Sequence, residues 1–433
     1  MPIFIICAAS CVGLLALVFV KSAVRIGHTS VSIYWVPPFL GALLLPILGL
    51  LPWSEILSGM TADGEINPIK ILILFLSMTL LSILLDEAGF FRFLASYALK
   101  RAGRSQKKLF FLLYGVVSVL TVFTSNDIIV LTFTPFLCYF AKHARIDPLP
   151  YLFCEFVAAN TWSMALLIGN PTNIYLGASA GISFVEYMKV MLLPTVLGGL
   201  ASLAVLWLLF HKSLSQPMDP VEEGREAMDL PLVILGAAHL LGALLFMVLS
   251  SWVAIPMWLI SLLFFLSLYI SATVMQCLRH RSGHAIIAAL ERTPLEIVPF
   301  VLSMFVLVLG MQSTGATAWI GEKLSLISPV FSFGITSFFM ANIVNNIPMS
   351  VLYSTIVSAA PCAHLPAVYA SVVGSNLGAF FAPIGALAGI MWTALLRRNG
   401  LQFSFFTFIK YGALIAIPTL FVTLGGLELV LGF

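Results

Sequence analysis

The sequence predicts an all-α polytopic membrane protein built as an inverted repeat, and three observations carry that expectation. Hydrophobic residues fill 61% of the 433 positions and charged residues only 9%, with a mean hydropathy of +1.07. A soluble domain has about a quarter of its residues charged, so this chain lacks the polar surface to face water. Apolar runs recur at the length, about 20 residues, that spans a bilayer. Two of these runs are broken at their centres by polar residues. Thr124-Ser125-Asn126-Asp127 interrupts one in the first half, and Asn345-Asn346-Ile347-Pro348 one in the second. Lipid offers no hydrogen-bond partners, so such breaks persist only inside protein or beside a polar cavity.

About ten runs are long enough to span, near 3–20, 31–51, 69–91, 150–180, 186–210, 231–251, 255–277, 294–314, 365–396 and 403–430. The first lacks a preceding basic region and a small-residue cleavage site, so it is expected to be a retained helix and not a signal peptide. The runs near 109–141 and 326–361 are too long for one crossing. Charge decides how they fold, because Lys and Arg favour cytoplasmic loops. Lys21 and Arg25 place the first loop inside; Glu55, Asp63 and Glu65 place the next outside. Arg92, Lys100, Arg101, Arg104, Lys107 and Lys108 then precede the first broken run, and Lys142, His143 and Arg145 follow it. Only a re-entrant hairpin that enters and leaves on the cytoplasmic side keeps both basic clusters inside. Carried onward, the loops at 211–230 and 278–292 and the one with Arg397 and Arg398 are cytoplasmic. The second hairpin, about 326–361, then enters from outside and turns near Asn345-Asn346.

Three segments follow. Residues 1–215 form an N-terminal half with the hairpin about 109–141 and a broken helix about 150–180. Residues 216–230 form a cytoplasmic linker, where Asp219, Glu222, Glu223, Arg225, Glu226 and Asp229 mark a solvated stretch. Residues 231–433 form a C-terminal half with the hairpin about 326–361 and a broken helix about 365–396. The halves echo one another. Ser77-Met78 and Gly89 match Ser303-Met304 and Gly315; Asn160 and Gly169 match Asn376 and Gly385; Lys189 matches Lys410. The offsets are 226, 216 and 221 residues. Matching segments run in opposite directions by the charge rule, so a binding site is expected at the repeat interface near the midplane.

The polar residues that would make that site fall in the two hairpin tips and two broken helices. They are Asn126, Asp127, Asn160, Thr161, Asn170, Thr172, Asn173, Asn345, Asn346, Ser375 and Asn376. Gly and Pro loosen the helices at Gly169-Asn170-Pro171 and Ala382-Pro383-Ile384-Gly385. A broken helix exposes N–H groups on one half and carbonyls on the other, suited respectively to anions or polar oxygens and to Na⁺ or a protonated group. Proline kinks capped by Asn are the plainer interpretation of any one break; four breaks paired by repeat favour a site. Asp127 is the residue expected to handle a proton, although an Asp there also suits the start of the hairpin's return helix. Glu155, in a broken helix, is a second candidate carrier or an interfacial residue. Asp86 and Glu87 are expected to form a surface ion pair with Arg92, and His239 to be packed. The six cysteines (Cys7, Cys11, Cys138, Cys154, Cys277 and Cys362) have no metal-ligand spacing and are expected to pack. No metal site, cofactor or nucleic-acid partner is expected, and no nucleophile–base set or phosphate-binding Gly-Lys loop suggests an enzyme.

Several motifs resemble one family. Ser82-Ile83-Leu84-Leu85-Asp86-Glu87-Ala88-Gly89-Phe90-Phe91, the Asn126-Asp127 tip, Thr293-Pro294-Leu295-Glu296-Ile297-Val298, Asn345-Asn346-Ile347-Pro348 and Tyr369-Ala370-Ser371-Val372-Val373-Gly374 are similar to the arsenical pump membrane subunit. They keep that order from about residue 30 to the C-terminus. The resemblance implies the ion transporter superfamily fold: about ten spans, two re-entrant hairpins and two broken helices, divided into a scaffold and a moving transport domain. It also implies a homodimer, an elevator-type mechanism and a multi-pass inner (cytoplasmic) membrane location. The family permits a separate soluble ATPase subunit. Arsenical pumps carry Asp where this chain has Asn160 and Asn376, and Pro-Lys where it has Ala379-Phe380. Asn160-Thr161 and Ser375-Asn376 are instead similar to the Ser-Asn-Thr motifs of sodium-coupled carboxylate carriers. Two functions are therefore expected. The first is exchange of arsenite or antimonite, a neutral metalloid, or a related small oxyanion for protons. The second is a sodium-coupled permease for a carboxylate or inorganic anion, or a sodium/proton antiporter of the same superfamily. In either case the coupling ion is H⁺ or Na⁺.

Overall fold

The computed structural model describes residues 2–20, 23–26, 29–61, 67–219, 228–253, 255–362, 364–401 and 403–432. Lys21, Asp63 and Glu65, on which the first loop assignments partly rest, and Glu222, Glu223, Arg225 and Glu226 of the linker lie outside these residues.

The first half begins with α1 (Pro2–Val20), a short antiparallel pair β1 (Ala23–Ile26) and β2 (Thr29–Ser32), α2 (Val36–Ile47) and α3 (Trp53–Thr61). It continues through α4 (Pro68–Glu87), α5 (Phe90–Ala102), α6 (Gln106–Phe123), α7 (Asn126–His143), α8 (Leu149–Trp162), α9 (Pro171–Ser179) and α10 (Phe184–Phe210). The second half holds α11 (Leu230–Val253), α12 (Met257–Leu278), α13 (His284–Glu291), α14 (Ile297–Ser313) and α15 (Ala316–Leu324). The last five are α16 (Pro329–Val344), α17 (Asn346–Ala359), α18 (His364–Gly378), α19 (Leu387–Arg398) and α20 (Phe405–Leu431).

Among the described residues, α4, α6, α10, α11, α12 and α20 are long and apolar enough to cross a membrane. Helices α14 and α15 together make a seventh candidate, bent by 81°. The expected 31–51 span shrinks to the 12 residues of α2, because β2 occupies its start and a turn with Gly49 at φ 66° ends it. The 150–180 and 365–396 runs are each split into two shorter helices, which hydropathy cannot distinguish from one crossing.

Local chemistry sets the boundaries. Asn67 caps α4, accepting from the N–H groups of Ile69 (2.9 Å) and Lys70 (3.1 Å), and Pro68 supplies the first helical φ. Helices α10 and α20 are both 27 residues long, and each starts at a capping serine, Ser183 or Ser404. Gly89 (φ 88°) and Gly315 (φ 75°) make equivalent bends, from α4 into α5 and from α14 into α15.

The helices pack into two sets. In one, α6 lies on α8, α16 on α18 and α10 on α20, while α7 crosses to α19 and α17 to α9. In the other, α4 packs on α11 and α12, α14 on α2, and α1 on α2. The sets meet chiefly where α17 lies against α14 and α15, and where α4 touches α7 and α9.

The acids expected to pair with Arg92 pair instead with Arg292. Asp86 is buried, and its Oδ2 accepts from Arg292 Nη1 at 2.6 Å and from Thr132 Oγ1 at 2.8 Å; Arg292 also bonds Glu87. The physical reason is orientation: the end of α4 turns Asp86 inward toward α7 and the α13–α14 connection, whereas Arg92 sits on the exposed face of α5. Cys7, Cys138 and Cys154 are buried, as expected of packing cysteines. His239 packs edge-on to Phe264, with its ring nitrogens beside Leu235 O and Ser267 Oγ.

Candidate functional site

The two broken helices meet through their side-chain amides. Helix α8 ends at Trp162 and two 3₁₀ turns, Ser163–Ala165 and Leu167–Gly169, carry the chain to Asn170, which caps α9. Asn170 Oδ1 accepts from both the N–H and Oγ1 of Thr172, at 3.1 Å each. Its Nδ2 donates to Asn376 Oδ1, in the second broken helix, at 2.9 Å, and Ser163 Oγ donates to the same oxygen at 2.9 Å. Asn376 Nδ2 donates in turn to Asn173 Oδ1 (2.7 Å) and to Val372 O (2.8 Å). Asn173 Nδ2 reaches back to the carbonyls of Ser163 (2.8 Å) and Leu166 (3.3 Å), closing the set. Asn376, Asn170, Asn173 and Ser163 are all buried. A buried amide left unpaired costs about 1–3 kcal/mol, so this network holds the two breaks in register.

Each hairpin tip docks on a break. Asn126, the first residue of α7, donates through Nδ2 to Asn160 Oδ1 at 3.0 Å, while Asn160 Nδ2 donates to Phe156 O at 2.8 Å. At the other tip Asn345 adopts φ 78°, a conformation that Asn tolerates better than most residues. Its Nδ2 donates to Ile384 O at 3.0 Å, and the Asn346 N–H donates to Gly385 O at 3.0 Å. Gly385 has no room for a side chain: a Cβ there would lie 2.6 Å from Asn342 Oδ1 and from Gly378 O. Gly169, its match in the first half, is equally closed in by the Ser163 carbonyl. Helices α7, α9, α17 and α19 thus all begin at the centre. Asn170 and Asn345 cap two of them; the other two, at Ser125 and Ala386, have no side-chain cap.

Asn170, Thr172, Asn173 and Asn376 are therefore joined directly, the Asn126–Asn160 pair meets them through Ser163, whose Oγ lies 2.8 Å from Asn160 O, and Asn345 and Asn346 join the second break. Thr161 Oγ1, Ser375 Oγ and Asn346 Oδ1 are buried without a hydrogen-bond partner. Asp127 is placed differently. It is half-buried in the first turn of α7 and lies outside the amide network, in electrostatic reach of the buried Tyr34, which Glu296 also approaches. A carboxylate is favourably placed at a helix N-terminus.

Ser163 and Asn342 are members of the site that the motifs do not single out. Ser163 stands three residues after Asn160, and Asn342 three before Asn345; that spacing beside a break was the available signal. Asn342 Oδ1 accepts from the Ala382 N–H at 3.1 Å.

Six helices long and apolar enough to cross a membrane, among the described residues, with buried amides shared between two broken helices, mark a polytopic membrane protein. Residues 31–374 match the profile of the citrate transporter family, CitMHS, and the chain belongs to that family. It is 26% identical to the arsenical pump membrane protein of Escherichia coli K12, with 94% of this chain and 97% of that one covered. The protein of that name in Shigella flexneri matches equally, and a putative arsenical pump membrane protein of Bacillus subtilis is 23% identical over 92% of this chain and 96% of its own. The fold is similar to that of Neisseria gonorrhoeae MtrF, from a class of antimetabolite efflux pumps (TM-score 0.52, 13% identity, 98% and 93% covered). That likeness concerns fold alone. The chain is a secondary transporter, and its expected resemblance to the arsenical pump subunits of the ion transporter superfamily holds over nearly its whole length.

Proposed function

We propose that this chain exports arsenite or antimonite, or a related small oxyanion, across the inner membrane in exchange for protons. The observation that carries this reading is the neutral network of Asn160, Ser163, Asn170, Asn173 and Asn376. Arsenite near neutral pH is an uncharged trihydroxyl species whose O–H groups both donate and accept, as amides and hydroxyls do. Thr161, Ser375 and Asn346 each bring a buried atom with no protein partner, ready for such a ligand. A multiply charged carboxylate would call for compensating cations, and the network's described members include no Lys or Arg. The arsenical pump names of the relatives point the same way.

The transport cycle follows from the same arrangement. The halves 1–215 and 231–433, joined by the 216–230 linker, act as inverted repeats. The matched bends at Gly89 and Gly315, the two hairpins and the equal lengths of α10 and α20 support this. Helices α6–α10 and α16–α20 form the transport domain, and α4, α11, α12 and α14 belong to the scaffold. Movement of one against the other in a homodimer gives alternating access. Asp127 at the cytoplasmic hairpin tip exchanges protons with the coupling pathway.

A second reading has its own support. The family profile is that of citrate transporters, and the N-termini of α7 and α19 lack side-chain caps, leaving positive dipole ends free for an anion. A sodium-coupled anion permease would use these. A thermal-shift panel of the purified protein separates the two. Stabilisation by arsenite or antimonite without sodium supports the first reading; stabilisation by citrate only with Na⁺ or Li⁺ overturns it.

A further inference from the structure

A second carboxylate, named in the sequence as a candidate carrier, is more deeply buried than Asp127 and is not used in the transport cycle proposed above. Glu155, in the middle of α8, has no exposed surface. Its one well-formed side-chain partner is Thr134 of α7, whose Oγ1 lies 3.1 Å from Oε1 and 3.2 Å from Oε2. A hydroxyl has one hydrogen and two lone pairs, so it can donate to one carboxyl oxygen while accepting an O–H from the other. The contact therefore suits the neutral acid. An ionised carboxylate in this position would leave an oxygen without a donor, and its burial unpaired would cost several kcal/mol.

Among the described residues, no ion pair reaches Glu155. The ionisable neighbours are the thiols of Cys138 on α7 and Cys154 on α8. Helix α19 contributes Trp392, whose buried indole N–H has no hydrogen-bond partner and lies beside the carboxyl, beyond the range of a formed bond. From α20, Phe408 and Tyr411 stack on Phe153, and Phe408 also meets Phe156. The position 216 residues on is Ser371, which bonds its own helix at Ala367 O, so the second half has no matching acid.

Trp392 is also a wall of a cavity of about 200 Å³. The cavity runs from the exposed Arg397 and Ser404, on the side that the basic residues assign to the cytoplasm, to the buried Phe408 and to Ile384. Ile384 is the residue whose carbonyl holds the second hairpin tip. Trp392 thus borders both this space and the Glu155 carboxyl, with an indole N–H that has no hydrogen-bond partner.

We propose that Glu155 is a second proton-binding site, loaded and unloaded from the cytoplasm through the cavity behind Trp392. Thr134 holds the acid when the proton is bound, and the Trp392 N–H steadies the carboxylate once the proton has left to water. Its coupling role rests on the proton-exchange reading above, but its proton binding can be tested alone. The experiment is infrared difference spectroscopy of the full chain in nanodiscs, in H₂O and D₂O and across pH. A protonated-carboxyl C=O band is expected in the wild type, lost in Glu155→Gln, kept in Asp127→Asn, and shifted to higher frequency in Thr134→Val. It should shift on exposure to D₂O and lose intensity as the pH is raised. No such band, or one indifferent to D₂O and pH, overturns the proposal. An exchanging band in protein that moves no arsenite on a pH gradient supports the proton site and overturns the arsenite reading instead. Glu155→Gln protein that melts like wild type and still accumulates arsenite as steeply on a pH gradient overturns the coupling role.

Discussion

Asn376 makes the sharpest residue-scale prediction. Its oxygen receives Ser163 and Asn170, and its nitrogen serves Asn173 and Val372 O, so one side chain ties both broken helices. Asn376→Ala leaves several buried partners unpaired, at about 1–3 kcal/mol. Ligand binding should weaken by about 10- to 100-fold in a calorimetric titration. Asn376→Asp should be at least as damaging despite its similar shape, because it sets a carboxylate oxygen against the acceptor oxygens of Asn173 and Val372. Equal affinity in both variants would remove Asn376 from the site. The asparagines themselves were legible in the sequence, since an amide in an apolar run has few harmless explanations. Their partners Ser163 and Asn342 were not, because Ser and Asn inside helices commonly bond their own backbone, and nothing in a single sequence distinguishes that from a contact across the repeat.

At the scale of elements, the breaks and their anchors matter most. Gly385→Ala would force a Cβ against Asn342 and the Gly378 carbonyl, so the second hairpin should lose its seat. Greater thiol labelling of a cysteine placed at Ile347, with little change in helix content, checks this. The linker side has its own anchor. Asp229, just before α11, meets Arg279 at 2.7 Å, Arg281 at 3.4 Å and Gln276 at 3.2 Å. Burial pushes its carboxyl up, but the hydrogen bonds and charge of Arg279 and Gln276 outweigh that and hold it below its ordinary value of 3.8. The folded form thus prefers the ionised carboxylate. Its stabilising contribution is complete above that ordinary value and is lost as pH falls through the lower, folded one. Asp229→Asn should flatten the acid limb of a melting-temperature profile below about pH 4 and leave the neutral region lower throughout. The breaks near Thr124–Asp127 and Asn345-Asn346 were legible because polar residues interrupt long apolar runs there, and the structure ends α6 and α16 at those points. The shortened α2 and the 3₁₀ turns of the first break were not, since hydropathy records polarity and not where a helix stops. The pairing of Asp86 with Arg292 depends on two segments some two hundred residues apart, which no local pattern reports.

For the whole molecule, the proposed mechanism rests on movement between the two packed sets of helices. Phe75 and Ile71 of α4 and Tyr175 of α9 line one small cavity of about 20 Å³ with residues of α14 and α17, where scaffold and transport domain would slide past each other. A cross-link between cysteines at Phe75 and Tyr175 should stop transport while leaving ligand-induced stabilisation intact; unchanged flux would contradict relative movement there. Membrane class could be found in the sequence because bilayer physics restricts composition so strongly, and the family because its motifs keep their order. Cargo could not, because small polar sites of similar amides can serve a neutral hydroxide or an anion. The most direct test is arsenite flux into everted proteoliposomes under an imposed pH gradient. An acid lumen should drive arsenite accumulation that collapses when the gradient is dissipated and is unaffected by sodium. Accumulation indifferent to the pH gradient, or sodium-driven uptake of citrate in its place, would contradict the account.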